Sequence, residues 1–501
     1  MYEQPSVMPK EKTNWLILVV LALAQFMLIV DVTIVNIALP TIQRTFNLSN
    51  TNLQWIITGY ALTFGGFLLL GGRMTDLFSR RAIFLSGLAL FTLASLGSGL
   101  SQSGGMLIVF RAIQGFAGAF MSPAALSMVL VTYREGTERN IALSIWGAVG
   151  SAGGALGILL GGVFTQYLGW RWNFFINVPI GVIVFIAALF IVGSYKSEDV
   201  TRRLDLVSSA LVAGGLMVLV YALTKASTYG WRDHRTLTYF AISAIALVAF
   251  VINETEVKQP LLPLRIFRTR NLAGADAVML LMAAGLFSSI FLATLYVQDI
   301  LGYSAIKTGV SFLIFPVCVA IAATNVPRII KRIGYRPILI GAPMLMSAGL
   351  FFESGIPLSG SYWVHVAPGL VLMALGMGAT FVSVTIAATS GVARQDAGLA
   401  SGLVTTSQQI GGAIGLAAII SVAASSTTRY LQNLGLLGPP SHAVIALATI
   451  HGFQIGYLTA GYIALAAAIL AALSIRPTPV PTAPPATTTV EMKSESISTP
   501  A

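Results

Sequence analysis

Fourteen long runs of apolar residues decide what this chain can fold into. A helix crossing a hydrocarbon core roughly 30 Å thick needs ~20 residues. Breaking the sequence at charges and turn residues gives candidate spans near 15–38, 53–71, 82–101, 106–131, 140–164, 173–194, 206–224, 236–253, 273–298, 309–327, 337–354, 363–388, 398–424 and 451–474. Only 9% of residues are charged and 56% are hydrophobic, against roughly 25% charged in an ordinary globular domain. The chain therefore reads as an all-α membrane protein whose first partner is the lipid bilayer. The first run is too long for a signal-peptide core and has no small-residue cleavage site behind it, so it is expected to stay as a span.

An even number of spans places both chain ends on one side. With the N-terminus cytoplasmic, 21 of the 29 lysines and arginines fall in the tails and the loops on that side, 7 fall opposite, and Arg111 lies within a span. The positive-inside rule then puts both termini in the cytoplasm. The net charge of +11 is thus spread over short loops rather than gathered into a nucleic-acid-binding patch. Loop character divides the chain into a tail (1–14), a first block of six spans (15–195), a linker with two extra spans (196–255), a second block of six (256–475) and a Pro/Thr-rich tail (476–501) expected to be disordered. Basic loops after the second span, GGRMTDLFSRRA, and after the tenth, PRIIKRIGYR, occupy corresponding places in the two blocks and suggest an internal repeat.

Polar groups inside spans cost a few kcal/mol or more and ask for a reason. Asp31, in LIVDVTIVNIALPTI with Asn36 close by, could carry a proton or face a cationic substrate, since burial favours its neutral form and a nearby cation its charged form. It could also be a helix-end carboxylate reaching water. Arg111, in LIVFRAIQGFAGA, stays charged and needs partners such as Gln114 or Asp31; its role is either to hold a proton site in register or to tie two helices. Gln298, Gln408, Gln409, Asp299 and Glu353 could each face a cavity; for Asp299 and Glu353 an interfacial carboxylate with water access is the favoured reading, and Asp276 has the same ambiguity. The fifth span, with Gly153, Gly157, Gly161 and Gly162, offers a smooth face for close packing or sliding. A single cysteine, Cys318, excludes intrachain disulfides, and the phosphate-binding and HExxH signatures are absent. No cofactor or metal is expected, and the chain does not read as an enzyme.

These motifs together resemble the fourteen-span drug:proton antiporter branch of the major facilitator superfamily. DVTIVNIALP is similar to that branch's first-helix signature, which would make Asp31 its acidic residue. GGRMTDLFSRR resembles the gating loop, with Gly72, Asp76, Arg80 and Arg81, and RAIQGFAGA resembles the fourth-helix motif, with Arg111 and Gln114 linked to proton coupling. WRWNFFINVPIG and GLASGLVTTSQQIGGAIG are also similar to stretches of the branch. Two departures stand out: Ile158 follows Gly157 where the family has proline, and Leu77 and Ser79 replace the usual basic residue and glycine.

The resemblance implies two six-helix bundles with two additional central helices, around a cavity working by alternating access. It implies a plasma-membrane exporter exchanging protons for a small amphipathic substrate. An importing symporter or facilitator, or a membrane receptor without transport, remains as an alternative, and oligomeric state stays open.

Overall fold

The computed structural model describes residues 15–133, 136–193, 205–257, 260–390, 392, 396–435 and 439–476, apart from the side chains of Asp76, Asn140, Arg270 and Ala397. The tails expected at 1–14 and beyond 476, and most of the charged stretch 196–205, lie outside these residues. Among the described residues, fourteen helices are long and apolar enough to cross a membrane. They are α1 (Trp15–Phe46), α2 (Asn50–Thr75), α3 (Arg80–Gly99), α4 (Gly104–Thr132), α5 (Thr137–Tyr167), α6 (Trp172–Ile191) and α7 (Leu206–Tyr229), followed by α8 (His234–Glu256), α9 (Asn271–Ile300), α10 (Ala305–Ile333), α11 (Tyr335–Glu353), α12 (Ala367–Thr389), α13 (Gly398–Asn433) and α14 (His442–Ser474). Every expected span corresponds to one helix, in order.

Local chemistry starts and stops these helices. Ser49, Ser103, Asp205, Asp233, Ser304 and Ser441 each cap an N-terminus by accepting a backbone N–H of the first turn, which satisfies a donor that the helix itself leaves orphaned. Gly334, at φ +78°, makes the turn between α10 and α11 that a side chain would strain. Within the helices, backbone groups bond inside their own segment, as a lipid environment demands.

Packing repeats with an offset of eight helices. In the first half α1 lies on α5, α2 on α4, and α3 on α4 and α6; in the second α9 lies on α13, α10 on α12, and α11 on α12 and α14. The expected internal repeat is therefore present as matched helix pairs. The two halves meet along α2 with α13 and α5 with α10. The extra helices α7 and α8 pair with one another, and α7 rests on both α13 and α2, with Gln54 donating to Thr224 at 3.1 Å. They cover the α2–α13 seam.

Polar links tie the halves at the face remote from the chain termini. Arg44 at the end of α1 pairs with Asp299 of α9 at 2.5 Å, Gln298 donates to the Ile37 carbonyl at 2.9 Å, and Gln166 of α5 accepts the Ile306 N–H at 3.1 Å. At the same face a Cβ placed on Gly162 would lie 2.9 Å from the Ala305 carbonyl. Only glycine lets α5 approach α10 this closely.

Candidate functional site: a charge pair inside the first half

The apolar sequence around Asp31 and Arg111 forces each to satisfy itself within the helix bundle. Asp31 is fully buried and Arg111 is 2% exposed. The guanidinium donates through Nη1 to Asp31 Oδ2 at 2.5 Å and to Gln114 Oε1 at 3.0 Å, and through Nε to the Ile56 carbonyl of α2 at 3.1 Å. The other carboxylate oxygen, Oδ1, accepts from Gln114 Nε2 at 3.1 Å and from Asn177 Nδ2 of α6 at 2.8 Å. Asn177 also donates to Ser95 of α3 at 3.0 Å, and Ser98 donates to Gln114 at 3.2 Å. Arg111 stacks over the Tyr60 ring, 4.4 Å from its centroid.

Five helices thus converge on one carboxylate. Removing two charges from water carries a large desolvation penalty, which is tolerable only where geometry and hydrogen bonds are this complete. Close approach builds the site: a Cβ on Gly115 would collide with the Tyr60 carbonyl and the Thr63 hydroxyl, so glycine here seats α4 against α2. Chemically, a proton placed on Asp31 would cancel the ion pair and leave the guanidinium charge to Gln114, the Ile56 carbonyl and the Tyr60 and Phe174 rings. The Tyr60 hydroxyl has no hydrogen-bond partner among the described residues.

Sequence reasoning singled out Asp31, Arg111 and Gln114, and the structure brings all three together. Gln114, expected at a substrate cavity, is fully buried inside this network instead, because Arg111 and Asp31 consume its amide. Gln298 bonds across the junction between halves and also lines an open cleft of about 470 Å³ there, with Arg44, Gln166 and Tyr303. Asn36 is half-buried and donates back to the Val32 carbonyl at 3.1 Å. Gln408 and Gln409 are half-buried on α13, where the Gln409 Cβ lies 3.0 Å from a Cβ placed on Gly65 of α2. Asn177, Ser95, Ser98 and Tyr60 escaped selection; an amide in an apolar run is the signal that would have found Asn177.

The fifth-helix glycines pack closely against neighbouring helices. Gly153 faces Phe26 and Ile29, Gly157 faces Thr33, and Gly161 faces the Ile34 backbone, all on α1, while Gly162 turns to α10. With Ile158 in place of proline, α5 runs without interruption from Thr137 to Tyr167. In the loop after α2, expected from the resemblance to gate, Gly72 borders open space, Arg81 donates to the Leu189 carbonyl at 2.5 Å, and the Arg80 Nε is buried with no partner among the described residues. The side chain of Asp76 lies outside the described residues. Glu353 departs from expectation: it is fully buried rather than interfacial. Asp299 reaches solvent as expected, and Asp276 is 6% exposed with neither oxygen partnered among the described residues.

Comparison with known proteins agrees with this architecture. Residues 21–416 match the model of the Major Facilitator Superfamily. The chain is 36% identical over 463 residues to the puromycin resistance protein pur8 of Streptomyces alboniger, covering 91% of this chain and 90% of that protein. It is 35% identical to the cephamycin export protein CmcT of Amycolatopsis lactamdurans, covering 84% and 87%. Among solved structures, a bacterial homolog of the human lysosomal transporter Spinster, inward-facing and unoccupied, superposes with a TM-score of 0.65 at 16% identity over 93% of this chain and 98% of that one. That likeness concerns the fold alone.

Proposed function

The chain belongs to the major facilitator superfamily, and from that premise we propose that it exports small amphipathic compounds in exchange for protons. The observation that carries the coupling is the Asp31–Arg111 pair, sealed in the first half by Gln114 and Asn177. The exporting direction draws on relatives named for antibiotic resistance and export. With both termini in the cytoplasm of a plasma-membrane protein, the face tied by Arg44, Asp299 and Gln298 is the outer one, and the conformation is closed to the outside.

The exchange follows from the charges. Protonation of Asp31 removes one partner of Arg111, whose remaining contacts reach α2 through Ile56 and Tyr60. That loosens α1 from α4, and α1 rests on the glycine face of α5, where Gly153, Gly157 and Gly161 present little to obstruct displacement. Proton occupancy is thereby converted into a change in how α1 sits between α4 and α5. Substrate and proton alternate because the two arrangements of α1 favour different occupancies.

Efflux of a fluorescent cation such as ethidium from expressing cells, with and without a protonophore, tests the reading. Protonophore-sensitive efflux that disappears in Asp31→Asn, with the variant still inserted in the membrane, is expected. Full efflux by Asp31→Asn would remove Asp31 from the coupling role.

A further inference from the structure

The second half holds a buried carboxyl of its own, and nothing in the exchange just described uses it. Glu353, the last residue of α11, is 0% exposed. Its Oε2 accepts from Ser289 of α9 at 2.9 Å, while Oε1 has no partner among the described residues. Ser289 also lies 3.3 Å from the Met373 sulfur of α12, and a Cβ on Gly369 of α12 would come within 2.5 Å of the Glu353 side chain. The ionisable groups facing it are phenols, Tyr362 before α12 and Tyr457 of α14, with Tyr296 of α9 next to Tyr457. Among the described residues no lysine, arginine or histidine reaches ion-pair distance of it. Asp31 is buried with a guanidinium; Glu353 is buried without one. An uncompensated buried charge is strongly destabilising, so this packing suits the neutral carboxyl.

The segment after Glu353 is held in place from two other helices. Residues 354–361 follow α11, and Tyr296 donates to the Pro357 carbonyl at 2.7 Å while Gln454 donates to the Ile356 carbonyl at 2.9 Å. Tyr296 opens a π-helical turn, Tyr296–Ile300, at the end of α9; such turns recur at functional sites. The same turn carries Gln298, bonded to Ile37, and Asp299, paired with Arg44. One turn therefore latches the two halves together and holds the segment that follows Glu353.

We propose that Glu353 is a second proton-binding site, loaded from outer water when this turn releases α1 and shut off when the turn re-engages. The proposal rests on the orientation and proton coupling given above. In the loading step a hydronium ion gives one proton to the carboxylate and leaves one water. The outer face then closes over a neutral group. Because the closed state holds one more proton than the open state, the ratio of closed to open rises by up to about tenfold for each unit that pH falls.

The test uses the full chain in lipid nanodiscs, with Cys318→Ser and spin labels at Tyr167→Cys and Leu434→Cys, outer positions on opposite halves. Asp31→Asn is included so that the first half does not contribute to the pH response. With Glu353 intact, acid should shift the distance distribution toward the closed form; with Glu353→Gln it should stay closed at every pH. A pH response that survives Glu353→Gln, or none with Glu353 present, would overturn the proposal. Should Glu353→Gln not fold, Tyr296→Phe decides: it leaves the carboxyl intact and should raise the open fraction while preserving the pH response. An unchanged distribution would break the link between the turn and the segment it holds. Failure of the coupling reading shows separately, as retained efflux in Asp31→Asn.

Discussion

Arg111 links three helices through two nitrogens, which is why lysine is a poor substitute for it. Nη1 meets Asp31 and Gln114 while Nε meets Ile56, and a single ammonium cannot reproduce that fork. Arg111→Ala should destabilise the protein by about 3–5 kcal/mol, because Asp31 is left as an unpaired buried charge. The double variant Asp31→Asn, Arg111→Gln should recover much of the thermal unfolding temperature in detergent while remaining inactive in efflux. Recovery of efflux along with stability would show that the pair only ties helices. The pair itself was legible in the sequence because ionisable residues in apolar runs are few. Its other members were not, since Ser95, Ser98 and Tyr60 are ordinary residues of transmembrane helices and only three-dimensional proximity distinguishes them. Glu353 was misplaced for the same reason: its position at a helix end suggested water, and the residues that enclose it, Ser289 of α9 and Gly369 of α12, come from helices whose neighbours sequence does not reveal.

Glycine spacing on α5 separates two roles that one run of sequence cannot. Gly157 and Gly161 face α1 so closely that added methyl groups would strike Thr33 and the Ile34 backbone, whereas Gly154 borders open space. Gly161→Ala should therefore disrupt the α1–α5 contact and sharply lower efflux, because the obstructing atom is backbone and has no rotamer to adopt. Gly154→Ala should leave efflux unchanged and stabilise the helix by roughly 0.5–1 kcal/mol through better helix propensity. Side-by-side efflux rates and unfolding temperatures check both; equal effects at the two positions would mean that helix stiffness, not the interface, governs transport. The fourteen helices themselves were readable from apolar length and charge placement, because the bilayer imposes both. Which face of each helix meets which neighbour was not, since nearly every residue in these spans is apolar.

The molecule as a whole is a pair of repeats that meet along α2–α13 and α5–α10. Two extra helices brace the α2–α13 seam, so the α5–α10 contact is the freer of the two junctions, and its distal end lies beside Arg44 and Asp299. That ion pair is solvent-accessible, with Arg44 66% exposed, so its own contribution is small, about 0–1 kcal/mol, and screened by salt. Its value as a probe lies in its position. If transport requires this face to open, a covalent tether should stop it even though losing the ion pair hardly matters. In a Cys318→Ser background, Arg44→Cys with Asp299→Cys should retain most efflux when reduced. Treatment with a short bifunctional thiol reagent that is cleaved by reductant should abolish efflux, and cleavage should restore it. Either single cysteine should be indifferent to the reagent, which separates tethering from simple modification. Efflux that continues through the tether would mean that the two halves do not part here, and would take the outer gate, and the proton site proposed behind it, out of the transport cycle.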